Sequence, residues 1–109
     1  MTRRVTILPR AERDAQSIFD WISARSPEGA RRWWNALEEA ARRVAANPQG
    51  YALAPENDLT SCELRQFLFK TPRGRTYRGV FTVVGTEVRI LRLRGPGQPP
   101  LQRDEMKTD

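Results

Sequence analysis

The chain has 109 residues, of which 39% are hydrophobic and 29% are charged, and its formal net charge is +6. A chain of this length favours one domain with one core, and no apolar run is long enough to span a bilayer. Histidine is absent, which excludes Ser-His-Asp and Cys-His catalysis and HExxH zinc sites. The N-terminal residues lack the apolar core of a signal peptide, so we expect a cytoplasmic protein.

The residues that usually hold metals and cofactors are also scarce. Cys62 is the single cysteine and cannot form an internal disulfide. The glycines form neither GxGxxG nor GxxxxGK[ST], the loops that cradle phosphates. Only Glu63 and Glu87 accompany the basic residues of segment 63–94, too few acids for a two-metal nuclease site. We therefore expect neither a metal nor an organic cofactor.

The first half of the chain predicts one strand and two helices. Residues 4–8 form a β-type run that Pro9 closes, since proline cannot continue a ladder. Helical spacing of apolar residues then predicts a helix over residues 10–25. Its apolar stripe consists of Ala11, Ala15, Ile18, Trp21 and Ile22.

The second helix has clear start and stop signals. Ser26 supplies an N-cap, Pro27 suits the first helical position and Glu28 places an acid in the first turn. Asn47 and Pro48 end the periodic pattern. The break between the helices is short, so we expect them to pack as an antiparallel hairpin.

Two adjacent tryptophans lie in the second helix. Trp33 and Trp34 project about 100° apart, so both cannot face the same neighbour. One interpretation places one of them in the core and the other at its margin. The alternative makes the outer one, Trp34, a protein contact, because exposed aromatic residues anchor interfaces.

The C-terminal half predicts three strands, over residues 63–70, 76–84 and 87–94, after an irregular loop over residues 48–62. Gly85 stands at the first of two loop positions, which a type II′ hairpin requires. The apolar residues of the last strand occur at both parities, which predicts a bulge or burial on both faces. Residues 1–101 are predicted to form the domain, and residues 102–109 are rich enough in charge that we expect disorder.

Positive charge is concentrated in these three strands and their turns, since residues 63–94 hold eight Arg or Lys against two acids. Such a surface favours a polyanion or an acidic protein partner. The candidate binding residues on the strands are Arg65, Arg78, Arg89, Arg92 and Arg94. The structural alternative is that these arginines are solvated or paired, with Glu63 and Glu87 neutralising two of them.

The element order is strand, helix, helix and three strands, an α+β arrangement in which the helical hairpin packs on an antiparallel sheet. In order and spacing, residues 3–101 resemble the RelE/ParE superfamily of toxins from type II toxin–antitoxin, or plasmid stabilisation, modules. The residues that carry the resemblance are Ala11, Asp14, Ile18, Trp21, Ile22, Leu37, Asn47, Pro48, Gly50, Leu64, Arg65, the runs 77–83 and 88–93, Pro100 and Leu101.

The resemblance implies a toxin that a cognate antitoxin neutralises through an acidic C-terminal segment, in a hetero-oligomer without a membrane. RelE-like members cut mRNA on the ribosome as metal-independent endoribonucleases, and ParE-like members inhibit DNA gyrase. Arg78 matches the family arginine of the nucleases, and Lys70, Arg73 and Arg75 are further candidates to hold a phosphate.

Other nuclease positions do not match the resemblance. The lysines of RelE-like members fall near Leu64 and Gln66, and the late arginine falls near Gln98. No tyrosine follows Tyr77. A ParE-like gyrase inhibitor is therefore favoured, with the mRNA interferase as the alternative. A non-catalytic, basic nucleic-acid-binding module and a family member that has lost toxicity remain further hypotheses.

Overall fold

The computed structural model describes residues 2–106. Strand β1 spans Arg4–Ile7, helix α1 spans Pro9–Ser23 and helix α2 spans Pro27–Ala46. Strands β2, β3 and β4 span Arg65–Phe69, Tyr77–Val84 and Glu87–Arg94. None of the helices in this part of the chain has the length and apolar character to cross a bilayer.

Both helices begin with a proline, although only α2 has a side-chain cap. The Ser26 hydroxyl accepts a hydrogen bond from the Gly29 N–H at 2.9 Å, which confirms the predicted N-cap. Helix α1 begins at Pro9, one residue earlier than predicted, and ends at Ser23 rather than at residue 25. The helices pack against each other, and both also contact the sheet.

The sheet has the strand order β1-β4-β3-β2. The pairs β2–β3 and β3–β4 are antiparallel, as predicted, but β1 lies parallel to β4. The sheet is thus mixed and not purely antiparallel as predicted. Strands β1 and β4 are separated in sequence by both helices, β2 and β3, and a parallel pair requires a long connection of this kind. The α+β class with two helices packed on one sheet is confirmed.

Strand β4 contains the predicted irregularity. Val80 pairs with Arg92 while Phe81 pairs with Ile90, so Leu91 is an extra residue on β4. This bulge lets Ile90 and Leu91 be buried on opposite faces of the sheet. The hairpin before β4 turns at Gly85, whose φ is 62°, as the predicted turn requires.

The larger core lies between the helices and one face of the sheet. Trp33 is buried there, and its ring centroid is 5.7 Å from that of Phe69. The Phe67 ring crosses β3 at Gly79, where no larger residue fits because a Cβ would lie 2.2 Å from that ring. Aromatic packing through Trp33, Phe67 and Phe69 therefore fixes α2 on the sheet.

The opposite sheet face is covered by irregular chain. A second cluster contains Ala54, Leu64, Val80, Leu91, Leu101 and Met106. The segment before β2 forms a 3-10 helix over Pro55–Leu59, and the chain after β4 forms another over Arg103–Met106. The structure differs here from the disorder predicted for residues 102–109, because Met106 is buried; residues 107–109 lie outside the described part. We call this side the loop-covered face.

Candidate functional site

The loop-covered face holds an ion pair that involves the family-matched arginine. Side chains alternate along β3, so Arg78 points away from the helices. Its Nη1 donates to Glu56 Oε1 at 2.9 Å, and its Nη2 donates to Glu56 Oε2 at 2.6 Å. Nη1 also lies 3.3 Å from Gln66 Oε1. The Glu56 side chain is fully buried and that of Arg78 is 16% exposed, so little of the guanidinium reaches solvent.

Glu56 also accepts the Leu101 N–H at 2.8 Å. Burial acts to raise the pKa of Glu56, but the hydrogen bonds from Arg78 and Leu101 outweigh that effect and lower the pKa below its ordinary value. Glu56 is therefore a carboxylate that joins three segments: the loop before β2, strand β3 and the chain after β4. Both carboxylate oxygens of Glu56 already accept hydrogen bonds, so its role is to connect these segments.

Arg94 lies directly opposite Arg78 in the antiparallel ladder. The residue is only 8% exposed, and its Nη2 donates to the Pro99 carbonyl at 2.7 Å. Its Nε has no hydrogen-bond partner among residues 2–106. The structure thus brings two predicted site residues together. Arg78 binds the Glu56 carboxylate, whereas Arg94 binds a backbone carbonyl.

Arg92 is held by helix α1. Its Nε and Nη2 donate to the two carboxylate oxygens of Asp14 at 2.7 and 3.1 Å. Asp14 also accepts the Leu93 N–H at 2.9 Å. Hydrogen bonding to Asp14 raises the pKa of Arg92, against the opposing effect of burial. Arg92 therefore fastens α1 to β4 and is not turned towards a shared site with Arg78.

The two remaining candidate arginines, Arg65 and Arg89, pair with acids that are close in sequence. Arg65 contacts Glu63 at 3.2 Å and also donates to the Tyr51 carbonyl. Arg89 contacts Glu87 at 2.6 Å. Hydrogen bonds from Thr6 and Arg89 lower the pKa of Glu87. The predicted neutralisation of two arginines by these acids is confirmed, since each acid lies two residues before its arginine; Glu87 also contacts Arg4 across the strands at 3.7 Å.

The basic residues of the β2–β3 connection have a different environment. We call residues 70–76 the hairpin loop. Lys70 lies at a groove beside α2, whereas Arg75 lies at another groove beside α1 and Tyr77. Lys70, Arg73 and Arg75 form no ion pair with the carboxylates of residues 2–106. The other three residues considered for phosphate binding are thus not assembled around Arg78.

The tryptophans are placed partly as predicted. Trp33 is buried and Trp34 is half-buried at the margin, where it meets Phe19 edge-on at 5.9 Å. This arrangement confirms the first interpretation of the pair. Trp21, which the helical pattern placed on the core side of α1, is instead 59% exposed. It lies near the end of α1, in the wall of a groove that Tyr77 and Pro96 also line.

Two functional partners were missed because they are remote in sequence. Glu56 lies in an irregular acidic loop 22 positions before Arg78, and Asp14 lies 78 positions before Arg92. The sequence signals for Asp14 are its position at the edge of an apolar helical stripe and its place among the residues that carry the family resemblance, neither of which names Arg92 as its partner. Neither spacing nor composition relates an acid in a loop to an arginine in a strand.

A family model described as "ParE toxin of type II toxin-antitoxin system, parDE" matches residues 5–98. No curated protein matches the chain. The family match covers β1, both helices, the remaining strands and the segment that reaches Gln98.

Proposed function

Because the chain belongs to the ParE toxin family of type II toxin–antitoxin systems, we propose that it arrests growth by inhibiting DNA gyrase without nucleolytic chemistry. The alternative within the wider superfamily is a ribosome-dependent mRNA interferase. Such an enzyme needs basic groups around a scissile phosphate that stabilise the developing charge.

The observation that carries the proposal is the bidentate pair between Arg78 and Glu56. Arg78 is the residue that matches the nuclease arginine, yet both terminal nitrogens donate to a buried carboxylate at 2.9 and 2.6 Å. A phosphate would have to displace a charge-assisted bond to the carboxylate that also secures Leu101. This guanidinium supports the fold and offers little to a substrate.

The distribution of the other basic groups supports the same proposal. Lys70, Arg73 and Arg75 belong to the hairpin loop, and the β2 side chain that contacts Arg78 is the uncharged Gln66. The chain has no histidine to act as a base, and both oxygens of the carboxylate beside Arg78, Glu56, already accept hydrogen bonds. Inhibition by binding requires no such base.

The partner implied by the family is a cognate antitoxin. We propose that its acidic C-terminal segment lies across the helical hairpin and the sheet. Of the predicted contact residues, Arg89 has a side chain that is 44% exposed, whereas those of Arg65 and Arg78 are 19% and 16% exposed. An antitoxin carboxylate would therefore meet Arg89 most readily. Trp34, Arg92 and Arg94 would contribute less, because their side chains are already packed or bonded.

The experiment is a parallel measurement of two activities with the purified toxin. Gyrase-catalysed supercoiling of relaxed plasmid is followed on agarose gels, and mRNA integrity in a translating ribosome mixture is followed by primer extension. We expect inhibition of supercoiling with intact mRNA. The neighbouring gene product, co-purified as antitoxin, should abolish the inhibition when it is added first.

Cleavage of mRNA at ribosomal codons with supercoiling unaffected would contradict the proposal and favour the interferase. Absence of both effects, from a toxin that is folded and binds its antitoxin, would favour the hypothesis of a member that has lost toxicity.

A further inference from the structure

Trp21 and Arg25 form an exposed stacked pair at the end of α1. The guanidinium carbon of Arg25 lies 3.9 Å from the indole centroid. Arg25 Nη1 also donates to the Trp21 carbonyl at 3.0 Å, which holds the guanidinium in place. A 59% exposed tryptophan that is already oriented by an arginine loses little side-chain freedom when a ligand binds.

An open groove of about 460 Å³ adjoins this pair. Its wall includes Ile18, Trp21, Tyr77 and Pro96, and its polar groups include Arg75 and Gln98. None of the residues that line it is acidic. The groove therefore combines aromatic and apolar surface with a cation and an amide, and we call it the Trp21 groove.

The cations around the groove are unneutralised, in contrast to those of the strands. Arg75 lies in the wall, and Arg73 is two residues away in the same loop. Neither forms an ion pair with the carboxylates of residues 2–106, whereas Arg78 and Arg92 each have a carboxylate within 3 Å. Neighbouring positive charges without counter-charges favour an anionic ligand.

We propose that the Trp21 groove binds single-stranded nucleic acid, with one base against Trp21 and adjacent phosphates on Arg75 and Arg73. A base supplies the flat π-face that stacks on an indole or on a guanidinium plane, and every base has such a face. Gln98 Oε1 already accepts the Gly95 N–H, and its amide NH2 can donate to a base edge. An acidic peptide would satisfy the cations but would leave this stacked surface without a matching partner.

This binding is separate from the inhibition of gyrase proposed above, because it requires only the groove and an oligonucleotide. Stacking on one aromatic residue accounts for about tenfold in affinity. Each phosphate contact contributes about 0.7 to the slope of log affinity against log salt for single strands. The groove is thus a weak, salt-dependent site.

The test uses the full chain and a fluorescein-labelled thymidine oligomer of about 12 nucleotides, a length within known site sizes. Anisotropy is measured between about 50 and 200 mM salt. We expect Trp21→Ala to weaken binding about tenfold and Trp21→Phe to retain most of it. The double variant Arg73→Ala/Arg75→Ala should lower the salt slope by about 1.4, the effect of two lost phosphate contacts.

Arg31→Ala/Arg32→Ala is the matched control, because it removes the same charge from α2, where both arginines lie 3.5 Å from Glu28. Circular dichroism establishes that each variant is folded. The proposal would be overturned if Arg31→Ala/Arg32→Ala weakened oligonucleotide binding as much as Arg73→Ala/Arg75→Ala does. It would also be overturned if Trp21→Ala bound the oligonucleotide as tightly as the unsubstituted chain.

Two further probes identify the ligand class. A uridine oligomer of the same length distinguishes RNA from DNA. Stronger binding of either oligomer supports the proposal and identifies which nucleic acid the groove prefers. Preference for duplex DNA would overturn it, because a paired base cannot stack on Trp21. Displacement of the label by poly-glutamate as readily as by unlabelled thymidine oligomer would also overturn it, in favour of an acidic peptide.

Discussion

The loop-covered face and the hairpin loop are both rich in arginine, yet they use it in opposite ways. Arg78 and Arg92 each bind a carboxylate from a distant segment and are at most 16% exposed. Arg73 and Arg75 lie outside the ladder and have no ion pair with residues 2–106. Basic composition therefore does not identify a binding surface by itself. An arginine is available to a ligand only if no buried carboxylate already binds it.

The difference follows from topology. Arg78 points away from the helices and meets the chain that covers that sheet face, whereas Arg92 meets Asp14 of α1; in both cases the charge has to be neutralised before burial. The hairpin loop connects the ends of β2 and β3, and its Arg73 and Arg75 are exposed. Removal of one charged side chain should therefore change the free energy of unfolding by different amounts in the two regions.

Arg78→Ala should give the largest effect, a loss of about 3–5 kcal/mol in the free energy of unfolding, because Glu56 would remain buried without its counter-charge. Urea denaturation followed by circular dichroism measures it. A loss no larger than that of an ordinary surface substitution would show that Glu56 is solvated and that the two regions do not differ.

Asp14→Ala should cost about 1–3 kcal/mol, because the Leu93 N–H and the Arg92 guanidinium would lose their acceptor. Asp20→Ala is the control on the same helix, since Asp20 is exposed and its side chain accepts from Gln16. Thermal unfolding of the two variants should show a clear fall in Tm for the first and little change for the second. Equal shifts would mean that α1 is not fastened through Arg92.

Glu56 also predicts a pH dependence. Its pKa is lower in the folded chain than its ordinary value of 4.5, so the unfolded chain takes up the proton first as the pH falls. The stabilisation is complete above that ordinary value and is lost as the pH falls through the lower, folded pKa. Glu56→Gln should therefore flatten the acid limb of a stability profile. An acid limb of unchanged steepness would contradict this assignment.

Arg75→Ala should give the smallest effect, within about 0.5 kcal/mol, because exposed side chains without specific contacts contribute little. The same denaturation measurement checks it beside Arg78→Ala. A destabilisation comparable to that of Arg78→Ala would remove the distinction between hairpin loop and loop-covered face.

Local signals explain which elements could be predicted from the sequence. The Ser26 cap, the turn at Gly85 and the bulge at Leu91 follow from residue type and parity within a few positions. The helices and the three C-terminal strands are also periodic over their own length. These features need no knowledge of what packs against them.

Features set by distant contacts could not be predicted. The parallel pairing of β1 with β4 depends on where the chain returns after two helices. Trp21 fits the apolar period of α1, but it is 59% exposed, because residues 2–106 leave an open groove beside it. The Glu56 contact with Arg78 joins an irregular loop to a strand, and no periodic pattern relates the two. The candidate site was therefore less predictable than the fold.

The most direct test of the central claim, that Arg78 serves the fold and not a reaction, is growth arrest by the double variant Glu56→Gln/Arg78→Met. The introduced amide oxygen would still accept the Leu101 N–H, and replacing a buried ion pair by uncharged residues of similar volume is often nearly neutral for stability. We predict a folded toxin that still arrests growth and inhibits supercoiling. A double variant with native stability that has lost toxicity would contradict the account.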